Sequence, residues 1–261
     1  MNPMDVKKNL FRTVISEYEY GRPKYPVGVY EEIQRFSDID STSEILEVGA
    51  GTGQATDLFV SHGHKLDLLE VSEEQVAFSR QKYTNYPNVK ISRNYFEDYV
   101  AEKKYDLIYS ATAFHWIKCE NGYPKAWSML RTGGTLAVFW NVFFDMYHCG
   151  GIFDELNHIR KIYMPEESLG LSLEEIKAKR VRQITVGGFF GSPQYFEFRQ
   201  TECYDKHRFL AYLKTDSRTL MLDDVTREQY LSAVSDCLDR SGGSIEVPEI
   251  ASLYLVKKGA A

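Results

Sequence analysis

Cysteine is scarce in this sequence: four residues in 261, Cys119, Cys149, Cys203 and Cys237, none of them in a CxxC pair. That spacing signals neither a zinc knuckle nor a redox dithiol, and reduced thiols are the expectation. Long apolar runs are missing too. No stretch of eighteen apolar residues occurs, and MNPMDVKKNLFR lacks the apolar core and small-residue cleavage site of a secretory leader. A cytoplasmic protein with no membrane partner is expected. Basic blocks are absent as well. Lys and Arg number 31 against 37 Asp and Glu, a formal net charge of −6, and no cluster stands ready to neutralise a phosphate backbone, so nucleic acid is not an expected partner. What remains is ordinary globular composition, 43% hydrophobic and 26% charged, which excludes a disordered chain, a collagen-like fibre and a disulfide miniprotein. The 18 tyrosines suit an aromatic-lined cleft or packing at layer edges, and packing is the preferred reading.

The length allows one large domain or a core with an inserted subdomain. From Glu44 to Trp140 short β-rich runs alternate with helical stretches, the pattern of a parallel sheet covered by helices. Strands are predicted at 44–49, 65–72, 89–95, 105–112 and 135–140, with intervals that leave room for crossover helices. The helices between them are expected to start near Gly53, Ser72 and Glu120. Ser72 followed by Glu73, Glu74 and Gln75 reads as a capping box, and Gly133-Gly134 reads as the turn before the fifth strand. Ahead of this, residues 1–40 read as two helices around EYGRPKYP, with Val6, Leu10 and Val14 at helical spacing. Beyond Trp140 the rhythm stops. Residues 141–192 hold two helical patterns and the glycine-rich VGGFFGSP, an insertion by this reading; 194–204 and 245–258 read as two further strands around a largely helical 205–240.

The informative segment is ILEVGAGTGQATDLF, residues 45–59. An apolar strand runs into Gly49, Gly51 and Gly53 and then into a helix, so side chains are missing where a ligand can approach free backbone N–H groups. A tight turn with no ligand has the same composition. Glu47 and Glu70 add to the pattern. A carboxylate two residues before the first glycine repels a pyrophosphate and suits an ammonium group. Glu70 stands 21 positions after Gly49 at the end of the second strand, where an acidic side chain accepts ribose hydroxyls. The glycines read GxGxG rather than GxGxxG, which argues against a nicotinamide cofactor and for a nucleoside without pyrophosphate.

Together ILEVGAGTGQ, Glu70, NYFEDY and ATAFHWI resemble the class I S-adenosylmethionine-dependent methyltransferases, in particular small-molecule enzymes similar to trans-aconitate methyltransferase. The resemblance runs from FRTVISEYEYGRPKYP to the end and is loose over 141–192. It implies a single methyltransferase domain over 1–261: an α/β, doubly wound, Rossmann-like seven-stranded sheet in the order 3-2-1-4-5-7-6 with strand 7 antiparallel. Residues 1–40 would form a helical cover and 141–192 a helical insertion after strand 5 that acts as a substrate lid. It implies S-adenosyl-L-methionine as cofactor, S-adenosyl-L-homocysteine as product and a small-molecule methyl acceptor as partner. By the same resemblance Glu47, Gly49, Gly51 and Gly53 would hold the methionine end and Glu70 the ribose. Phe96 and Glu97 would flank the adenine, and Ser110 and Ala111 would face the sulfonium. Tyr20, Arg22 and Tyr25 would close over the cofactor.

His115 lies just past the fourth strand, where the crevice of a doubly wound sheet opens. It is the candidate catalytic residue, as a general base for a hydroxyl or amine acceptor or as a positioning group. Phe114 and Trp116 flank it, and Trp140, Asn141 and Phe143 are delivered to the same edge by the fifth strand; all five are substrate-pocket candidates. His62 and His64 bracket Gly63 without a third ligand, so a solvated loop is expected and no metal. The family resemblance suggests a carboxylic acid acceptor and thus O-methylation. ATAFHWI and VFWNVFF contain no acid to hold a cation, Asp145 being the nearest. Oxygen, nitrogen and carbon methylation stay open, as does oligomeric state. An NAD-binding oxidoreductase and a non-catalytic nucleoside-binding module are the alternatives.

Overall fold

The computed structural model describes residues 14–142, 150–165 and 171–259. Seven strands form one sheet: β1 (Glu44–Val48), β2 (Lys65–Glu70), β3 (Val89–Arg93), β4 (Tyr105–Ala111), β5 (Leu130–Val142), β6 (Gln194–Asp205) and β7 (Ser244–Lys257). Their order is β3-β2-β1-β4-β5-β7-β6, with strand 7 antiparallel. Parallel registers run Glu47↔Leu68 between β1 and β2 and Glu47↔Tyr109 between β1 and β4, so the first three central strands end at one edge. The order reverses between β1 and β4, and the crevice of a doubly wound sheet lies at that switch.

The contacts group the described chain into two compact units. One comprises Lys24–Asn141, Lys177–Phe198 and the described part of Ala251–Ala261; the other comprises the described parts of Met1–Pro23 and Val142–Ile176 with Arg199–Ile250. The 141–192 segment expected to be one insertion is therefore divided. Its helix Leu173–Thr185 passes from one unit to the other, because its later residues pack with the strand ends Trp140 and Tyr195.

In the first unit α2 (Val27–Ser37) buries Val29, Tyr30 and Ile33 with the strand residues Ile45, Leu68, Leu107, Tyr109 and Phe139. Each crossover helix then covers the sheet: α3 (Thr56–Val60), α4 (Glu73–Lys82) and α5 (Cys119–Met129). Most buried tyrosines serve packing, as expected, and their hydroxyls find partners: Tyr30 with His64 Nε2 at 2.7 Å, Tyr105 with Asp67 at 2.8 Å and Tyr109 with Glu47 at 2.7 Å. His64 thus corrects the solvated-loop expectation. It is buried, and its Nδ1 lies 2.9 Å from the Asp40 carbonyl, because satisfying both ring nitrogens lets an imidazole join the core. Among the described residues no three His, Cys, Asp or Glu side chains group to hold a metal ion, and no helix is long and apolar enough to cross a membrane.

Two local expectations change. Gly133-Gly134 does not precede β5 but sits inside it: five residue steps, Leu130 to Thr135, span two on β4, Tyr105 to Leu107. The extra residues bulge. Gly133 takes φ 79°, its N–H donates to Lys258 O at 2.9 Å, and Lys258 N–H donates back to Gly134 O at 2.8 Å. The cap at α4 also differs: Ser72 Oγ accepts from Gln75 N–H at 3.3 Å, but the Ser72 N–H donates to Glu70 Oε1 at 2.9 Å.

In the second unit α1 (Ile15–Gly21) lies along α8 (Lys206–Lys214), while α6 (Ile152–Tyr163) packs with α10 (Asp224–Arg240). Gly21 permits the first contact: a Cβ there would meet Tyr212 N at 2.4 Å and Ala211 C at 2.7 Å, both backbone atoms that cannot swing aside. Gly21→Ala should therefore cost ~1–3 kcal/mol of stability, read from the midpoint of urea unfolding, despite the better helix propensity of alanine.

Candidate active site

The loop after β1 has a held side and an open side. Gly49, Gly51 and Gly53 take φ 76°, 59° and 94°, values that side chains rarely adopt. Three consecutive carbonyls are gripped from α4 and its C-cap: Ser79 Oγ donates to Gly51 O at 2.9 Å, Lys82 Nζ to Thr52 O at 3.1 Å and Tyr83 Oη to Gly53 O at 3.1 Å. Asp57 steadies the two longer donors, accepting from Lys82 at 3.0 Å and sharing the single hydroxyl proton of Tyr83, 2.7 Å away, with Gly53 O. Gly53 is glycine because Tyr83 needs the room; a Cβ would come within 2.0 Å of its hydroxyl. At Gly51 the opposite holds. Nothing lies within 4 Å of where its Cβ would be.

Glu70 closes the loop against the sheet. Its Oε2 accepts from Gly51 N–H at 2.9 Å, and Oε1 accepts from Val71 N–H at 2.7 Å and Ser72 N–H at 2.9 Å. Burial raises its pKa against the pull of these three donors. Glu47, expected to point at a ligand ammonium, is fully buried. Its Oε2 accepts from Thr56 Oγ1 at 2.6 Å and Tyr109 Oη at 2.7 Å. Burial pushes its pKa up to about 7, opposed by those two hydroxyls and reinforced by the charges of Asp57 and Glu70.

At the end of β4, Ser110 is buried and donates to Val48 O at 2.7 Å, tying β4 to β1, and Ala111 is half-buried. Thr112 follows with φ 52°, an outlier for a β-branched residue; its hydroxyl shares a 2.6 Å hydrogen bond with Tyr25 Oη. Phe96 and Phe114 are buried together, ring centroids 5.9 Å apart, and Glu97 is half-buried with its carbonyl accepting from Lys125 Nζ at 2.5 Å.

His115 is solvent-exposed at the start of the segment after β4. Its Nδ1 accepts from Trp140 Nε1–H at 3.1 Å, so the ring proton is placed on Nε2. Crowding, then the charges of Arg180 and Lys179, hold its pKa down to about 3. Both effects favour the neutral ring: the indole donor needs the Nδ1 lone pair, and both neighbours are cations. Trp116 is half-buried and Trp140 buried, while Asn141 keeps a buried Oδ1 that has no hydrogen-bond partner among the described residues. Phe143 lies outside the described residues, as do Asp145, His148 and Cys149.

Residues 45–134 match the family model described as a methyltransferase domain. Over that segment the chain is similar to a methyltransferase domain. An uncharacterized methyltransferase-like protein of Schizosaccharomyces pombe is 33% identical to it over 133 residues, 50% of this chain and 51% of the relative. A malonyl-[acyl-carrier protein] O-methyltransferase of Ilyobacter polytropus is 36% identical over 96 residues, 36% of each chain. The chain spans about half the length of the first curated relatives it matches. Among solved structures, a SAM-dependent methyltransferase from Thiobacillus denitrificans in complex with S-adenosyl-L-homocysteine aligns over 99% of both chains, with a TM-score of 0.53 and 13% identity. A phosphoethanolamine N-methyltransferase of Haemonchus contortus aligns over 97% of this chain and 60% of its own, with a TM-score of 0.56 and 14% identity. These two likenesses concern the fold.

The glycine loop, Glu47, Glu70, Ser110, Ala111, Phe114, His115 and Trp140 lie in one unit. Tyr20 and Arg22 belong to the other unit. Tyr20 is 53% exposed, while Arg22 donates to Thr215 Oγ1 at 2.8 Å and Thr215 O at 2.5 Å and lies 5.2 Å from the Tyr18 and Tyr212 rings. Those bonds give Arg22 a structural task. Sequence reading missed Ser79, Lys82, Tyr83, Thr112 and Arg180. Only Tyr83, at the end of a predicted helix beside a glycine loop, carried a signal that pattern reading can use.

Glu47 makes stability depend on pH. Its folded pKa of about 7 exceeds the unfolded 4.5, so the fold favours the protonated acid. This contribution is complete below about pH 4.5 and is lost as pH rises through 7. Glu47→Gln should unfold at higher urea than the parent at about pH 8.5, by up to ~3 kcal/mol, and lose that advantage near pH 5. An equal difference at both pH values would show that burial of this carboxylate is not the cause.

Proposed function

We propose that this chain transfers the methyl group of S-adenosyl-L-methionine to a small-molecule acceptor, leaving S-adenosyl-L-homocysteine. The open side of Gly51 carries the reading. The loop carbonyls are turned away and held, and a Cβ-sized space stands free beside a carboxylate at the end of β2. That is a cradle for a nucleoside rather than a turn packed for its own sake. S-adenosyl-L-methionine is the cofactor that fits it, and bound there it supplies an electrophilic methyl on a sulfonium. Glu70 would hold the ribose, with Oε2 keeping capacity beyond its single Gly51 bond. Glu47 would act from beneath the loop: a nearby ammonium would ionise it and recover part of its burial cost. Phe96, Phe114 and Glu97 would border the adenine, and Ser110 and Ala111 the sulfonium.

For the acceptor, a carboxylic acid and O-methylation are the finer reading. A neutral His115 whose Nδ1 is occupied by Trp140 is a poor general base, and a carboxylate has no proton to lose. The acceptor oxygen would donate its electron pair to the methyl carbon, the carbon–sulfur pair would return to sulfur, and no proton would be released. His115 would then be a positioning residue, donating from Nε2. Of the segment expected to act as a lid, residues 177–192 are the part this reading uses, since Lys177 and Arg180 lie over Tyr195 and Trp140.

Two measurements test this. Calorimetric titration should show S-adenosyl-L-homocysteine binding that Gly51→Val abolishes and Tyr83→Phe weakens roughly fivefold, by about 1 kcal/mol through a looser loop. Binding of NAD instead would overturn the cofactor, and a folded Gly51→Val that still binds would reduce the loop to a turn. In a donor-label transfer assay against pooled metabolites, kcat at saturating donor should stay flat across about pH 5.5–8, and His115→Gln should keep much of it. A limb near pH 6.5, with a loss of several orders of magnitude in His115→Gln, would assign a histidine base and a hydroxyl or amine acceptor.

A further inference from the structure

Among the described residues Arg180 has no carboxylate partner. Other arginines, among them Arg35, Arg93, Arg131, Arg218 and Arg240, form ion pairs with Asp or Glu at exposed positions where such pairs matter little. Arg180 is half-buried, where a partner matters more, and no carboxylate among the described residues pairs with it. Its one hydrogen bond runs from Nη1 to the neutral Gln183 Oε1 at 2.9 Å. The guanidinium lies 4.1 Å from the centre of the Trp140 ring, which orients it without balancing its charge. A charge withdrawn from water costs stability unless an opposite charge meets it.

The surroundings say what would meet it. His115 shares Trp140 with Arg180, is solvent-exposed, and offers an N–H at Nε2 because Nδ1 is taken. Lys179 adds a second positive charge acting on the same imidazole. Apolar packing backs the Trp140 ring, which meets the buried Tyr254 ring edge-on at 5.9 Å. A planar anion receives two parallel N–H bonds from a guanidinium, and one neutral donor beside it suits a monoanion better than a phosphate dianion.

We propose that Arg180, stacked on Trp140 and joined by the Nε2–H of His115, is the anchor for a carboxylate on an acceptor with an apolar body. This rests on the methyltransferase reading above. It goes beyond it by naming the residue that selects the acceptor's charge, one that no strand-end pattern picks out.

The test uses the full chain loaded with S-adenosyl-L-homocysteine and titrated calorimetrically with octanoate, phenylpropionate and succinate. Octylamine, octanamide and phenyl phosphate are titrated in parallel. At least one acid should bind, the amine and amide should not, and Arg180→Met should weaken the acid roughly tenfold or more while S-adenosyl-L-homocysteine affinity holds within about twofold. Arg180→Lys should recover part of the loss. Without probes, Arg180→Met should melt at or above the parent temperature, because removing an unbalanced charge relieves the fold; a purely structural arginine would lower it. Should Arg180→Met fail to fold, Arg180→Gln carries the same comparison. The proposal is overturned if no acid binds, if the amine, amide or phosphate binds better, or if acids bind Arg180→Met unchanged. A parent protein that does not bind S-adenosyl-L-homocysteine sinks the methyltransferase reading itself; one that binds it and ignores the acids sinks only the role of Arg180.

Discussion

Three carbonyls in a row, those of Gly51, Thr52 and Gly53, are held by Ser79, Lys82 and Tyr83, and the candidate site depends on this grip. A glycine-rich loop loses more conformational entropy on ordering than any other segment of its length. Here the α4 face meets that cost before a ligand arrives. With the carbonyl side engaged, the opposite side of Gly51 stays open, and Glu70 ties its N–H to the end of β2. Pre-organisation of this kind leaves less ordering to be done on binding.

Charge is distributed unevenly around that loop. Beneath it are two buried carboxylates, Glu47 and Glu70, whose pKa values are both raised by burial. At the ends of β4 and β5 the balance reverses, with Arg180 and Lys179 acting on a neutral His115. An electrophile carrying an ammonium group and an anionic nucleophile would thus each meet the opposite sign.

Much of the fold was legible because hydrophobic periodicity reports burial. The five strands before Trp140 and the two after residue 192 all occur within a few residues of where alternation and apolar runs place them. Where reading failed, a tertiary contact intervened. Gly133-Gly134 looks like a turn by local chemistry, yet Lys258, distant in sequence, pairs with both residues and keeps them inside β5. His64 looks like a loop residue until Tyr30 and Asp40 satisfy its ring. Arg22 looks like a closing residue until Thr215 claims its guanidinium.

By itself the sequence determined the α/β class, the sheet order through its resemblance, the glycine loop and the acidic residue at the end of β2, because these depend on spacing along the chain. Only the tertiary structure decided what each side chain faces. Glu47 turned to Thr56 and Tyr109, His115 gave its Nδ1 to Trp140, and Arg180 came to rest over that same indole with no acid among the described residues paired to it. Residues 9 to 62 positions apart meet in these contacts, and no local pattern encodes such meetings, since the partner is chosen by packing across strands and helices that the chain reaches only once folded.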